Sequence, residues 1–144
     1  MFAEIMAHHD YVWARVPFLA PMGAAIARRR TGTGAEEVAR RIRGLGALLL
    51  EHLGAEERLL TRRGAASAAD WVGQGMIGDH LMIMTALDEI RDAVARWSEP
   101  DRLECRLSRE LELLDEHVHA QIALEEALVA ARLDAPAYTP WSGL

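Results

Sequence analysis

The chain has a single cysteine, few aromatic residues and no apolar run long enough to span a bilayer. One cysteine, Cys105, excludes an internal disulfide and is typical of a reducing compartment. No histidine is spaced to activate Cys105, so we expect a partly buried structural cysteine rather than a nucleophile. The N-terminus lacks a basic segment followed by a long apolar one. We therefore expect no signal peptide and a cytoplasmic protein.

Basic residues are outnumbered by acidic ones, 16 to 22, so the formal net charge is −6 and the sequence pI is near 5.5. This balance argues against nucleic acid and against an anionic membrane as partners. Basic residues do cluster at 28–30, 40–43 and 62–63. We interpret these short runs as solvated helix surface.

What the chain does have is aliphatic residues in a helical pattern. Hydrophobic residues make up 51% of its 144 residues but aromatic ones only 6%, so the core must be mostly Ala and Leu, which favours helices over sheets. The length predicts one domain, residues 1–144, with a real core. A period of 3.6 residues predicts four helices, over about residues 2–30, 35–61, 71–97 and 98–133. The tail from about residue 134 is expected to be irregular.

Helix ends and breaks are marked by a few residues. Pro17 and Pro21 fall inside the first helix, where we expect a kink or a break. Ser98 followed by Pro100 and Asp101 predicts a Ser cap for the fourth helix. Four long amphipathic helices with short connections predict an all-α fold, an antiparallel up-down-up-down four-helix bundle.

Polar side chains interrupt the apolar stripes of all four helices. In the third helix the predicted stripe is Ile77, His80, Met84, Leu87, Ile90 and Val94. Across the chain the polar residues at core-facing positions are His9, His52, Glu56, His80, Gln121 and Glu125. Burying two carboxylates without a cation or donor would cost several kcal/mol or force them to protonate. A bound metal removes that penalty.

An internal repeat relates the two halves of the chain. The segment EHLGAEERLL at residues 51–60 aligns with AQIALEEALV at residues 120–129. In that register His52 pairs with Gln121, and Glu56 pairs with Glu125. A looser match pairs His9 with His80 at a similar offset of about 70 residues. We interpret the repeat as two helical hairpins related by a pseudo-two-fold axis.

The spacing of His52 and Glu56 suits a metal site inside the bundle. Residues four apart project from one helix face, so both side chains can reach the bundle centre. Glu56 and Glu125 would meet there, where each carboxylate could bridge two cations, and His9 and His80 would add nitrogen ligands. Mixed imidazole and carboxylate ligands suit iron best, with manganese or zinc as alternatives.

With these residues the chain resembles the hemerythrin-like, HHE cation-binding domains along nearly its whole length. That family has one His on helix 1, His-x3-Glu on helix 2, one His on helix 3 and His-x3-Glu on helix 4. The resemblance implies that His9, His52, Glu56, His80 and Glu125 are ligands of a carboxylate-bridged, non-heme di-iron centre. It also implies binding of, or reaction with, O2, NO or H2O2. Oxygen carriers have a second helix 3 histidine where this chain has Met84, which favours redox or small-molecule chemistry over reversible oxygen carriage.

The family's helix 4 histidine falls on Gln121, and three interpretations stay open. The amide oxygen of Gln121 could ligate a metal as a neutral, weaker donor. His117, one turn earlier, could replace it. Alternatively the position has been vacated, leaving one iron or none. One metal position would then keep two imidazoles and the other only one, so we expect unequal affinities.

Two classes of function follow from these alternatives. The first is a non-heme iron protein with a di-iron or degenerate mono-iron site, acting on a small ligand with or without turnover. The second is a metal-free or single-metal bundle that serves association or sensing. The two differ in whether chelators and His52→Ala or Glu56→Ala change the protein's behaviour.

Overall fold

The computed structural model of the chain describes residues 2–30, 34–61 and 75–133, which form four helices and no strand. Their bounds are α1 Phe2–Arg29, α2 Ala35–Thr61, α3 Met76–Ala95 and α4 Arg102–Leu133. The predicted all-α fold is confirmed. The predicted start of the third helix near residue 71 and the irregular tail lie outside the described residues. Among those described, no helix is long and apolar enough to cross a membrane.

The helices form a ring in which α1 packs against α2 and α4, and α3 packs against the same two helices. Between each two neighbouring helices, the contacting residues rise in number along one helix as they fall along the other, as an antiparallel bundle requires. These pairs are His9–Glu57 and Gly23–Ile42 for α1–α2, His52–Asp79 and Arg41–Glu89 for α2–α3, His80–Glu126 and Arg91–Asp115 for α3–α4, and His9–Glu125 and Arg15–Glu110 for α1–α4.

The interior is aliphatic, and the buried side chains of α1 and α2 recur with the predicted period of 3.6 residues. Four of the six residues in the predicted stripe of α3 are buried, namely His80, Leu87, Ile90 and Val94, but the other two are not. Ile77 is 51% exposed and Met84 is half-buried, whereas Met76 and Ile83 are buried. The start of α3 has apolar residues on both faces, including the exposed Leu81. The 3.6-residue period alone therefore could not choose between them.

The N-termini of α3 and α4 have different signals. Gly75 precedes α3 with φ 76°, a left-handed conformation that glycine adopts without steric cost. At α4 the cap is Asp101 rather than the predicted Ser98. Asp101 Oδ1 accepts from the Glu104 N–H at 2.9 Å, and Glu104 Oε2 accepts from the Asp101 N–H at 2.6 Å. This is a capping box in which aspartate takes the place of serine.

Two further expectations are corrected, a break in α1 and a partly buried Cys105. Helix α1 continues through Pro17 and Pro21 without a break. Both prolines lie on its exposed face, where water can hydrate the carbonyls that lose their partners. Cys105 is exposed rather than partly buried, because the first turns of α4 present its position to solvent.

Candidate metal centre

The polar residues from the four stripes converge at one end of the bundle. Each helix contributes at least one of them, and all are buried: His9, His52, Glu56, His80, Gln121 and Glu125. None is more than 4% exposed. The side chains meet because α1 and α3 begin at this end while α2 and α4 finish there. The predicted cluster therefore forms from residues up to 116 positions apart in sequence.

Four of these residues form a compact set of donor atoms. One atom each from His52, Glu56, His80 and Glu125 lies within 4.8 Å of every other. Two ligands on opposite sides of one transition metal stand about 4 Å apart, at about 2.1 Å each from the ion. Two imidazole nitrogens and two carboxylate oxygens also form a donor set that iron, zinc and manganese accept. The residues present therefore fit a metal ion with little movement.

Hydrogen bonding supports the same conclusion. His52 Nε2, Glu56 Oε1 and Glu125 Oε2 are buried and make no well-aligned hydrogen bond among the described residues, although imidazole and carboxylate atoms lie close to one another there. Buried polar atoms in folded proteins are almost always paired, and each one left unpaired costs about 1–3 kcal/mol. The three residues also belong to the set whose ligand atoms lie within 4.8 Å of one another. A cation bound there would satisfy all of them at once.

Three carboxylates outside the cluster contact the histidines from behind. The Nδ1 atoms of His9, His52 and His80 lie 3.4, 3.3 and 3.6 Å from Glu57, Asp79 and Glu126, respectively. A carboxylate that accepts from Nδ1–H leaves the lone pair on Nε2, the atom that faces the cluster. Each outer acid is also the sequence neighbour of a cluster residue. The contacts of His9 and His52 are within hydrogen-bond distance and orient those two imidazoles toward the centre.

The electrostatics of the cluster favour a bound positive charge. Burial lowers the pKa of His9, but hydrogen bonds to Glu125 and Glu56 outweigh it and raise the pKa to about 9. Burial likewise lowers the pKa of His80, but its contacts with Glu125 and Glu56 outweigh that effect and raise the pKa to about 9. Burial raises the pKa of Glu56, yet its contacts with the histidines dominate and hold that pKa well below its ordinary value. A metal would compete with the protons on these imidazoles.

The structure separates Gln121 from His117. Gln121 lies in the cluster, where its Nε2 donates to Glu125 Oε1 at 2.8 Å and to Glu56 Oε2 at 3.3 Å. His117 instead stacks on Tyr11 with ring centroids 3.6 Å apart, and its Nδ1 lies 2.9 Å from His8 Nδ1. Gln121, rather than His117, therefore occupies the position that the internal repeat assigns to a histidine.

Sequence reasoning missed some of the residues that support the cluster. Asp79 contacts His52 across the α2–α3 interface, and Trp13 Nε1 donates to Glu57 Oε1 at 2.7 Å. Their spacing along the chain gives no signal, since each partner comes from a different helix. The one available clue is that Asp79 and Glu57 directly adjoin His80 and Glu56 in sequence.

Comparison with known proteins supports this assignment. The family model of the hemerythrin HHE cation binding domain matches residues 1–133. Searches of curated proteins and of solved structures found no match. The match covers all four helices and every residue of the cluster. The chain belongs to the hemerythrin HHE cation binding domain family.

Proposed function

We propose that this chain is a non-heme iron protein that binds, or reacts with, a small ligand such as O2, NO or peroxide. The observation that carries the proposal is the convergence of one ligand atom from each of four buried residues, all within 4.8 Å of one another. Iron bound there supplies redox chemistry and a coordination position for the small ligand. Manganese and zinc suit the same donor set and are alternatives.

The chain's own residues have separable parts in this function. His52, Glu56, His80 and Glu125 would hold the metal, and the outer carboxylates orient the imidazoles. The aliphatic core on the inner side of the cluster keeps bulk water away. Exclusion of water strengthens the electrostatic contacts inside the cluster.

Metal content tests the proposal directly. We expect iron in protein purified aerobically or loaded with Fe2+ without oxygen, together with an absorption band that changes when NO is added. His52→Ala and Glu56→Ala should lose both the metal and the band. His119→Ala is the matched control, because His119 is exposed on α4 and lies outside the cluster. Protein that takes up no metal and melts at the same temperature with a chelator would support the association or sensing module instead.

A further inference from the structure

The two cluster carboxylates divide their oxygens between two sets of partners. Glu56 Oε1 lies 3.3 Å from His52 Nε2, and Glu125 Oε2 lies 3.1 Å from His80 Nε2. The other oxygens, Glu56 Oε2 and Glu125 Oε1, lie 3.4 and 3.3 Å from His9 Nε2. The cluster therefore has two distinct sides, one with two imidazoles and one with His9 alone. We call them the His52–His80 side and the His9 side.

Gln121 lies on the His9 side and acts there as a hydrogen-bond donor, not as a metal ligand. Its amide nitrogen donates to both carboxylate oxygens there, at 2.8 and 3.3 Å. The reverse orientation would direct the amide oxygen at two carboxylate oxygens, where like partial charges repel and no proton is available. The neighbours thus determine which amide atom faces the carboxylates. A histidine at this position, as at His52 in the internal repeat, would offer a ligand nitrogen instead.

The geometry points to a site for one tightly bound metal, on the His52–His80 side, with the Gln121 amide taking the part of a second cation by hydrogen bonding to both carboxylates. This inference rests on the proposal that the cluster binds metal at all. It assigns Gln121 a role in fixing the number of metals bound. That role follows from contacts of this chain and departs from the pattern of its family.

Two physical arguments favour one metal over two. A cation on the His9 side would have to break both amide hydrogen bonds and would gain one imidazole and a neutral oxygen, against two imidazoles on the other side. Charge points the same way, because one divalent cation neutralises Glu56 and Glu125. A second would leave buried positive charge, offset only by outer carboxylates that are 33–50% exposed.

Zinc titration of the metal-free protein tests the inference, because Zn2+ has no redox chemistry to complicate the count. The measurements are zinc per chain after dialysis, and affinity by competition with a chromophoric chelator. Loss of an outer partner alone costs about 10–100-fold in affinity, so we expect one tight zinc and a second at least about 100-fold weaker. Gln121→His should bind two zinc ions tightly. The control His119→Gln, on the exposed face of α4, should still bind one.

A second variant separates the donor role of Gln121 from ligation. Gln121→Leu removes the amide and should still bind one zinc tightly, while its metal-free form melts at a lower temperature because two carboxylates lose a donor. Two zinc ions of similar affinity in the natural protein would overturn the inference, and so would loss of the tight zinc in Gln121→Leu. No zinc in any folded variant would overturn the proposed function with it.

Discussion

At the scale of single residues, the cluster depends on side chains that never face its centre. Asp79 is 37% exposed, yet it lies 3.3 Å from Nδ1 of His52, whose other nitrogen faces the donor set. A carboxylate in this position fixes the tautomer and the ring orientation of its histidine and makes the facing nitrogen a better ligand. Asp79 is therefore a positioning residue for the centre.

We expect Asp79→Asn to weaken zinc binding by about 10-fold or more, since the amide oxygen accepts from Nδ1–H without the negative charge. Competition with a chromophoric chelator measures the affinity, and circular dichroism checks that the helices remain. Asp92→Asn is the matched control, because Asp92 is exposed on the same helix and lies outside the cluster. Equal affinities for the two variants would show that Asp79 has no influence on the histidine.

The sequence predicted residues of the centre better than it predicted their contacts. His52 and Glu56 share one helix face, so their spacing alone brings them together, and the repeat flagged Gln121. Whether Gln121 donates or accepts could not be read from sequence, because an amide does both and its neighbours on α2 decide. Whether His117 reaches the cluster also could not be decided from sequence, because its stacking on Tyr11 is a contact between two helices.

At the scale of helices, α1 and α2 pack closely where a glycine allows it. A Cβ atom added to the buried Gly23 would lie 3.1 Å from Ile42 Cδ1 and 3.4 Å from the backbone of Ala39. Gly44, on the exposed face of α2, has nothing within 4 Å of the same added atom. Gly23 therefore allows the two helices to pack closely, whereas Gly44 can accept a side chain without a clash.

We expect Gly44→Ala to stabilise the protein by about 0.5–1 kcal/mol, because alanine loses less backbone entropy in a helix. Gly23→Leu should destabilise it by about 1–3 kcal/mol, because the larger side chain forces α1 away from α2. Urea unfolding followed by circular dichroism measures both free energies. If both substitutions stabilised the protein, close packing at Gly23 would be ruled out.

Helix bounds followed from the sequence where one apolar face was distinct. The bounds of α2 agree with the prediction, because its stripe is regular and Gly34 with φ 77° precedes it. In α3 only Ile77 and Met84 were misplaced, and near the start of the helix Ile77 and Leu81 make a second apolar face. The cap of α4 was missed because aspartate and serine cap equally well, and only the Glu104 contact favours Asp101.

At the scale of the whole molecule, the cluster links the stability of the bundle to pH. In the metal-free protein the pKa of His9 and of His80 is about 9, above the ordinary 6.5. A raised pKa means that the folded state holds the proton more tightly than the unfolded state. The resulting stability is fully present below about pH 6.5 and is lost as the pH rises through about 9. The lowered pKa of Glu56 acts in the opposite sense, and its contribution is lost in acid.

We therefore expect the melting temperature of the metal-free protein to be highest between about pH 5 and 6.5 and to fall toward pH 9. Thermal unfolding across this range, in the presence of a chelator, measures it. Protein saturated with zinc should not lose stability toward pH 9, because a metal binds neutral imidazoles and replaces their protons. A metal-free melting temperature that stayed level or rose from pH 6.5 to 9 would contradict the assigned contacts.

The four convergent donor atoms come from both helical hairpins, two from α2 and one each from α3 and α4. With a single cysteine, the chain can form no internal disulfide between those hairpins. A cation held at this point would join them as a removable crosslink, spanning the stretch from His52 to Glu125. Like a disulfide, such a link favours the folded chain over the open one, and it does so more strongly the longer the loop it closes. The cohesion of the bundle would then follow the supply of metal, as that of a small secreted protein follows the oxidation of its thiols.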